Sequence, residues 1–250
     1  MENKIIYYEK TDSTNTRIHQ LAAEGAAEGT VAWAEMQTAG KGRRGRSWES
    51  PAGTNLYFSI LLRPQIEPDK APMLTLIMAH SVAKAVKSQE NLETQIKWPN
   101  DLILAQKKIC GILTEMNLTG QNIDYVVVGV GINVNVTEFP EELCDKATSL
   151  YIETGKKVER KELISSILKE FDRQYTKFLQ IQDLSFLQEE YNQILVNKDR
   201  EVLVLEPGKE YKAKALGINP MGELLVEKED GSIEAVFAGE VSVRGIYGYV

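Results

Sequence analysis

A run of apolar residues, Val126-Val-Val-Gly-Val130, is the feature that most constrains how this chain can fold. Successive side chains of a strand point to opposite faces of a sheet, so a run that is apolar at every position is buried on both faces. The run therefore predicts a central, buried strand.

The rest of the first two hundred residues alternates between strand and helix patterns. Alternating or β-branched runs predict strands at 4–8, 30–36, 55–62, 95–98, 102–105, 109–116 and 125–136. Apolar residues at helical spacing predict helices at about 14–24, 72–88, 159–179 and 184–195. The first helix follows Thr11-Asp-Ser-Thr-Asn15, whose side-chain oxygens are typical of helix caps.

The character of the sequence changes after about Asn197. Short strands are predicted at 201–206, 210–218, 223–228, 232–237 and 241–244, separated by turn residues such as Asp230-Gly231. Several short strands in so few residues indicate a small barrel. We therefore expect two domains, a large one over 1–197 and a small one over 198–250.

The overall composition limits the classes of partner. A net charge of -7 and a pI near 5.1 argue against binding of nucleic acid or membrane over the whole surface. No apolar stretch is long enough to span a membrane, and the first residues do not resemble a signal peptide. With two cysteines and no disulfide pattern, we expect a cytoplasmic protein. His19 and His80 lie in helical patterns without metal-ligand spacing, so no zinc site is predicted.

A cationic, glycine-rich segment, Gly40–Trp48, follows the second predicted strand. Its cations and glycines are Lys41, Arg43, Arg44 and Arg46 with Gly40, Gly42 and Gly45. Backbone N–H groups at glycines and guanidinium forks bind phosphate or carboxylate oxygens. The segment therefore predicts an anion-binding site, and a solvated basic loop is the alternative.

A second segment, Lys97-Trp-Pro-Asn-Asp101, predicts a rigid polar corner. Pro99 forces Trp98 into an extended conformation, so Asn100 and Asp101 are presented together. The Asn100 amide can donate and accept hydrogen bonds, and Asp101 can bind Mg²⁺ or orient a neighbour. A strand-connecting turn is the alternative.

Lys108 and the glycines of the later strands are the remaining candidates. Lys108 precedes an apolar run and could point its ammonium into a site, although an edge lysine that prevents aggregation is the alternative. Gly111 suggests close approach of a ligand or backbone. Gly129 and Gly131 match only half of a dinucleotide fingerprint, and glycines that make room in a central strand are the better interpretation. Cys110 has apolar neighbours and is expected to be an inert core thiol.

Taken together, these motifs resemble those of the biotin–protein ligases. The matching motifs are Asp12-Ser-Thr-Asn15, Gln37–Trp48, Asn55-Leu-Tyr57, Lys97–Asp101, Lys108 with Gly111-Ile-Leu113, Gly129-Val-Gly-Ile-Asn133 and Ala147-Thr-Ser-Leu150. They keep the family order over about the first 150 residues, which is far more specific than any single motif. The resemblance implies an α+β fold: a mixed-sheet catalytic domain of the biotin/lipoate ligase type with helices on one side, plus a C-terminal SH3-like β-barrel.

The resemblance also implies the reaction and its site. The family activates biotin with ATP and Mg²⁺ as biotinyl-5′-AMP, then transfers biotin to a lysine of the biotin carrier domain of a carboxylase. The implied biotin-binding residues are Ser13, Thr14, Asn15, Gln37, Gly40, Lys41, Gly42, Arg43, Lys108 and Gly111. The implied residues at ATP and the adenylate are Arg43, Arg44, Arg46, Trp48, Asn100, Lys108 and Asn133. Arg43 and Lys108 would be catalytic, and Asp101 would serve the metal. Position 41 is Lys where many relatives carry Arg. The positive charge is kept, but the paired N–H donors of a guanidinium are lost.

Three alternatives accompany this interpretation. Many relatives carry an N-terminal DNA-binding domain, but here the first motif begins close to Met1, so we expect a ligase that binds no nucleic acid. A lipoate or octanoate ligase would need an apolar tunnel where this chain supplies Ser13, Thr14, Asn15 and Gln37. A non-catalytic nucleotide-binding module would leave Lys97–Asp101 and Lys108 unexplained. A homodimer is an open alternative for the oligomeric state.

Overall fold

A computed structural model describes residues 3–206, 208–238 and 242–245, which contain two β-sheets and five α-helices. Seven strands form the first sheet: β1 (Lys4–Tyr8), β2 (Thr30–Ala34), β3 (Leu56–Leu62), β4 (Gln95–Lys97), β5 (Asp101–Leu104), β6 (Lys107–Thr119) and β7 (Asn122–Ile132). Their order is β1-β2-β3-β7-β6-β5-β4. Strands β1 and β2 are parallel, and all of the remaining neighbouring pairs are antiparallel. The predicted mixed sheet is confirmed.

The helices lie close to their predicted positions, with one addition. They are α1 (Thr14–Ala23), α2 (Met73–Glu90), α3 (Leu150–Thr154), α4 (Arg160–Ile181) and α5 (Gln188–Gln193). The sequence did not predict α3, a single turn that begins after Ser149, whose hydroxyl accepts from the backbone N–H of Ile152. None of the described helices combines the length and apolarity needed to cross a bilayer.

The central strands are buried as the apolar run predicted. All seven residues of β3 are buried, and so are Tyr125–Val130 of the neighbouring β7. Helices α2 and α4 pack on one face of the sheet, with Ile77 and Phe171 in the main core. The short α1 lies on the opposite face, where Ile18 packs on a smaller cluster. The expectation of helices on one side therefore holds for α2 and α4, and α1 is an addition to it.

Five short antiparallel strands form the second sheet, as the turn-rich end of the sequence predicted. They are β8 (Glu201–Glu206), β9 (Lys209–Ile218), β10 (Leu224–Glu227), β11 (Ile233–Val236) and β12 (Ser242–Gly245), in the order β11-β10-β9-β8-β12. Apolar side chains from this sheet, such as Val204 and Leu224, belong to the same core cluster as α2. The indole N–H of Trp98 also donates to the carbonyl of Gly222, at 3.1 Å. The two sheets are therefore joined directly.

A buried histidine in α2 gives a prediction for stability. His80 is 1% exposed; its Nδ1 lies 3.2 Å from Gln174 Oε1, and burial lowers its pKa to about 4. Below pH ~6.5 this imidazole binds a proton in the unfolded chain but stays neutral in the folded chain, so the free energy of unfolding falls as the pH falls. The contribution of the neutral imidazole to the free energy of unfolding is fully present above pH ~6.5, and about 2–3 kcal/mol of it is lost between pH 7 and 4.5.

The variant His80→Gln keeps a polar side chain but cannot bind this proton. Urea unfolding at pH 7 and 4.5 should therefore give a smaller loss of unfolding free energy for the variant than for the wild type. Equal losses in the two proteins would contradict the assignment to His80.

Candidate active site

A cleft beside strands β6 and β7 brings together residues from distant parts of the chain. The space between its walls, counted together with the open solvent at its mouth, is about 460 Å³. Among the predicted site residues, its lining contains Ser13, Thr14, Asn15, Gln37, Lys41, Gly42, Arg43, Trp48, Asn100, Lys108 and Gly111. A second cavity of about 870 Å³ shares Arg43 and Asn100 with the cleft and adds Arg44.

Four predicted residues line neither of these two cavities: Gly40, Arg46, Asp101 and Asn133. Gly40 has a local role, because a Cβ there would lie 2.4 Å from the carbonyl oxygen of Trp48. Asn133 is buried and donates its amide N–H to the carbonyl of Thr148 at 3.1 Å. Arg46 is exposed on the loop. The predicted ligand contacts of these residues stay predictions.

One end of the cleft is a cluster of amides and hydroxyls at the start of α1. The backbone N–H of Thr14 donates to Gln37 Oε1 at 2.8 Å, and Gln37 Nε2 donates to Ser50 Oγ at 2.9 Å. Asn15 Nδ2 donates to Glu115 Oε2 at 2.6 Å. Thr14 and Asn15 are both 4% exposed. Buried polar groups that line a cleft can hold a polar ligand in one orientation.

The cationic segment folds as a closed turn rather than an open loop. Gly42 N–H donates to the Arg46 carbonyl at 2.7 Å, and Trp48 N–H donates to the Gly40 carbonyl at 2.9 Å. A single 3₁₀ turn, Arg43–Gly45, forms its tip, and Arg44 has the left-handed φ of 58°. The turn directs Arg43 into the cleft and leaves Arg44 and Arg46 exposed.

Arg43 connects the turn to both sheets. Its Nη1 donates to Asn100 Oδ1 at 3.0 Å, and its Nη2 donates to the carbonyl of Ala238 at 2.9 Å. Burial lowers the pKa of Arg43, and the Asp101 carboxylate opposes this change. An arginine stays charged at neutral pH despite such a shift, so a fixed positive charge faces the cleft.

Lys108, on strand β6, supplies a second cation to the lining of the cleft. Its Nζ lies 2.6 Å from Asp101 Oδ1 and 5.2 Å from the ring centroid of Trp48. Asp101 is held in turn by the amide of Asn100, whose Nδ2 donates to Asp101 Oδ1 at 3.1 Å. The predicted corner and the predicted lysine are therefore parts of one charged cluster.

The corner itself depends on buried contacts of Trp98. This residue is 1% exposed and precedes Pro99 through a cis peptide bond. Its backbone N–H donates to Asn197 Oδ1 at 2.8 Å. The corner is therefore anchored in the core, which fixes Asn100 and Asp101 beside the cleft.

The described residues do not form a resident metal site. No group of three or more His, Cys, Asp or Glu side chains in the described ranges could hold a metal ion. The Asp101 carboxylate is engaged by Lys108 instead.

Glycines on β6 and β7 make room for the cleft, as their positions suggested. A Cβ at Gly131 would lie 2.7 Å from Trp48 Cε2, and one at Gly111 would lie 2.9 Å from Trp48 Cζ3. A Cβ at Gly129 would lie 1.9 Å from Asn15 Oδ1. The missing side chains therefore let Trp48 and Asn15 approach the sheet.

The Gly131→Ala variant tests this packing. The added methyl must displace the Trp48 ring, which we expect to destabilise the fold by about 1–3 kcal/mol and to weaken ligand binding. Thermal unfolding and ligand titration measure the two effects. The double variant Gly131→Ala/Trp48→Leu, which removes the clashing ring, should recover much of the stability. No change in the single variant would show that Trp48 does not depend on this glycine.

Sequence reasoning missed three groups that complete the site. Glu115 and Ser59 contact the Asn15 amide, with Ser59 Oγ 2.6 Å from Asn15 Oδ1. Ser59 is the one serine or threonine in the strand Leu56–Leu62, whose other residues are aliphatic or aromatic, and that signal could have identified it. The carbonyl of Ala238 left no signal, because a backbone acceptor is present at every residue.

Comparisons with known proteins agree with this geometry. Residues 7–133 match the Biotin/lipoate A/B protein ligase family, and residues 199–244 match the Biotin protein ligase C terminal domain. The bifunctional ligase/repressor BirA of Bacillus subtilis (strain 168) is 37% identical over 247 residues, covering 97% of this chain and 75% of that protein. The biotin--[acetyl-CoA-carboxylase] ligase of Mycobacterium tuberculosis is 36% identical over 168 residues, covering 65% of this chain and 60% of that protein.

A solved structure resembles the whole fold. The biotin protein ligase from Aquifex aeolicus in complex with biotin and ATP superposes with a TM-score of 0.84 and 34% identity, covering 98% of this chain and 100% of that one. The family match spans half of the chain, and the Bacillus subtilis relative extends over nearly all of it. The chain therefore belongs to the biotin/lipoate A/B protein ligase family.

Proposed function

We propose that this protein is an ATP-dependent biotin–protein ligase. It joins biotin to the AMP moiety of ATP with release of pyrophosphate, then transfers biotin to a lysine of a biotin carrier domain with release of AMP. One observation carries the proposal: a single cleft is lined both by the amides and hydroxyls of Thr14, Asn15 and Gln37 and by the cations Arg43 and Lys108. The Aquifex relative, whose complex holds biotin and ATP, supports the choice of substrates.

Arg43 and Lys108 lower the electrostatic repulsion between the two substrates of the first step. A carboxylate oxygen of biotin attacks the α-phosphorus of ATP, so two anions must approach each other. At about 4 Å and an effective dielectric of about 20, each nearby opposite charge contributes on the order of 4 kcal/mol before desolvation. Arg43, on the turn, and Lys108, on β6, both line the cleft, so they can stabilise charge on both reactants. The step needs no side-chain nucleophile.

The second step forms an amide bond. The amine of the acceptor lysine attacks the biotin carbonyl of the mixed anhydride, the bond to phosphate breaks, and AMP leaves with the electron pair. The mixed anhydride reacts with water, so a segment that covers it protects the intermediate. The turn 40–48, which contributes Arg43 to the cleft and folds back through Trp48, is suited to that role.

The protein also needs an acceptor protein and a metal ion for this reaction. The acceptor is the biotin carrier domain of a carboxylase, with acetyl-CoA carboxylase as first choice, because named relatives act on it. Mg²⁺ would enter with ATP, where it would neutralise phosphate charge, and Asp101, the partner of Lys108, would be the carboxylate to hold it. We also propose that the protein acts in the cytoplasm, that residues 1–197 and 198–250 are its two domains, and that it can form a homodimer.

One assay tests the proposal. The protein is incubated with MgATP, a carrier domain and either biotin or lipoate, and mass spectrometry follows the carrier. The expected result is a mass gain of one biotinyl group on a single lysine, with pyrophosphate released and no product from lipoate. Lipoate transfer would reassign the protein within its family, and no AMP formation with either acid would refute catalysis.

A further inference from the structure

Four polar side chains form a continuous series that leads from the cleft to a carboxylate behind it. Thr14 Oγ1 lies 2.7 Å from Ser59 Oγ, Ser59 Oγ lies 2.6 Å from Asn15 Oδ1, and Asn15 Nδ2 lies 2.6 Å from Glu115 Oε2. Thr14 and Asn15 line the cleft, whereas Ser59 is fully buried. Glu115 does not line the cleft, so it can act on a ligand only through the others.

The chemistry of each group fixes the direction of every hydrogen bond. An ionised carboxylate only accepts, so Glu115 requires the NH₂ of Asn15 to point toward it. The Asn15 carbonyl oxygen then faces Ser59, and since that oxygen carries no proton, Ser59 must donate to it. A hydroxyl has one proton, so Ser59 can only accept from Thr14.

The consequence appears at the cleft. The single hydroxyl proton of Thr14 is used on Ser59, so the lone pairs of Thr14 Oγ1 are what remains for a ligand. Gln37 Oε1 also lies 3.2 Å from Thr14 Oγ1, but this contact is longer than the 2.7 Å to Ser59 Oγ, and Gln37 Oε1 already accepts from the backbone N–H of Thr14 at 2.8 Å. The cleft end is therefore built to receive an N–H group, and a group that only accepts finds no donor at Thr14.

We propose that Glu115 is a positioning residue that makes the Thr14 hydroxyl an acceptor and so selects a ligand head group bearing N–H. This inference rests on the proposed function, in which the N–H groups belong to the ureido ring of biotin. A dithiolane such as that of lipoate has no N–H, so the same polarity discriminates against it. Sites built to bond one polar group reject analogues that lack it strongly.

The surroundings keep the series in this arrangement. His19 Nε2 lies 3.5 Å from Glu115 Oε2, and the hydrogen bond from His19, together with that from Asn15, holds the pKa of Glu115 below its usual range. The charge of Lys41, on the cleft wall, acts in the same direction. Gly129 leaves the space that the Asn15 carbonyl oxygen occupies. Glu115 therefore stays an acceptor at neutral pH.

The test compares Glu115→Met, which removes the acceptor, with Glu115→Gln, which keeps an acceptor oxygen of similar shape. For Glu115→Met we expect KM for biotin and for desthiobiotin, which shares the ureido ring, to rise about tenfold or more, since a buried donor loses its partner. KM for ATP and the kcat at saturating biotin should change less than threefold. Glu115→Gln should restore most of the biotin affinity. Glu93→Met, which removes an exposed carboxylate paired with Lys87, is the control.

A double-variant cycle separates a linked series from general damage. Ser59→Ala breaks the same series one bond away, so adding it to Glu115→Met should raise KM for biotin little beyond the larger single effect. Effects that multiply would overturn the proposal, and so would a Glu115→Met enzyme with biotin KM within twofold of the wild type. If Glu115→Met does not fold, Ser59→Ala and Glu115→Gln still decide: unchanged KM in Ser59→Ala refutes the series. An inactive wild-type enzyme would instead refute the proposed function.

Discussion

Replacing Lys108 with alanine is expected to slow adenylate formation by a factor of about one hundred to one thousand, the usual cost of losing one aligned electrostatic donor. The substitution removes the ammonium that faces the cleft and leaves the Asp101 carboxylate, 2.6 Å away, without this countercharge. The remaining negative charge then adds repulsion for two anionic substrates. Single-turnover measurement of biotin-dependent pyrophosphate release reports this step directly.

Two matched variants make the test specific. Lys107→Ala removes the neighbouring ammonium, which bonds the carbonyl of Cys144 outside the cleft, and should leave the rate within about threefold. Lys108→Ala/Asp101→Asn removes both charges and should recover part of the lost rate. A Lys108→Ala enzyme that forms adenylate at nearly the wild-type rate would contradict the proposed role of this residue.

Replacing Arg43 with alanine is expected to release the adenylate intermediate about ten to one hundred times faster, because hydrogen bonds to charged groups contribute about 1.5–3 kcal/mol each. The guanidinium joins the cationic turn to Asn100 and to the carbonyl of Ala238, so its loss also opens the turn. Free adenylate acylates amines without selection. The variant should therefore label lysines of a bystander protein such as serum albumin, detected with labelled streptavidin.

Two matched variants serve as controls for Arg43. Arg173→Ala removes an arginine on α4 that pairs with Glu170 and lines neither described cavity, and should keep labelling restricted to the carrier. Arg43→Lys keeps the charge without the fork and should give an intermediate release rate. Labelling that stays specific to the carrier in Arg43→Ala would show that another group retains the intermediate.

Much of the fold follows from local pattern, and the exceptions have physical causes. The apolar run at 126–130 predicted the central strand, because a strand that is apolar at every position can be buried on both faces of a sheet. The pattern in α2 predicted one buried face, including Leu76 and Val86, yet residues on all its sides are buried. Helix α4 covers its outer side, and such tertiary packing leaves no periodic signal. The position of α1 on the opposite face was likewise set by packing of Ile18 against β3 and β7.

The sequence predicted those parts of the candidate site in which the combination of neighbouring residue types is itself unusual. A glycine-rich cluster of cations, a proline-fixed corner and a lysine before an apolar run are conspicuous, and the structure brings Arg43, Asn100 and Lys108 together in one cleft. Glu115 was missed because strands often carry a carboxylate that points toward solvent, so a glutamate on β6 gives no signal of its own. Its significance comes from the Asn15 amide one hundred residues away in the sequence, and only the fold supplies that proximity.

The hydrogen bond from the Trp98 indole to Gly222 has a practical consequence for dissecting the enzyme. The ring sits between the corner that carries Asn100 and the second sheet, so we expect the second sheet to help hold this corner in place. Fragment complementation makes this visible: pieces 1–197 and 198–250, expressed separately, should each be inert. Mixing them should restore biotin-dependent turnover to the extent that they bind each other, and Trp98→Phe should weaken that reassembly.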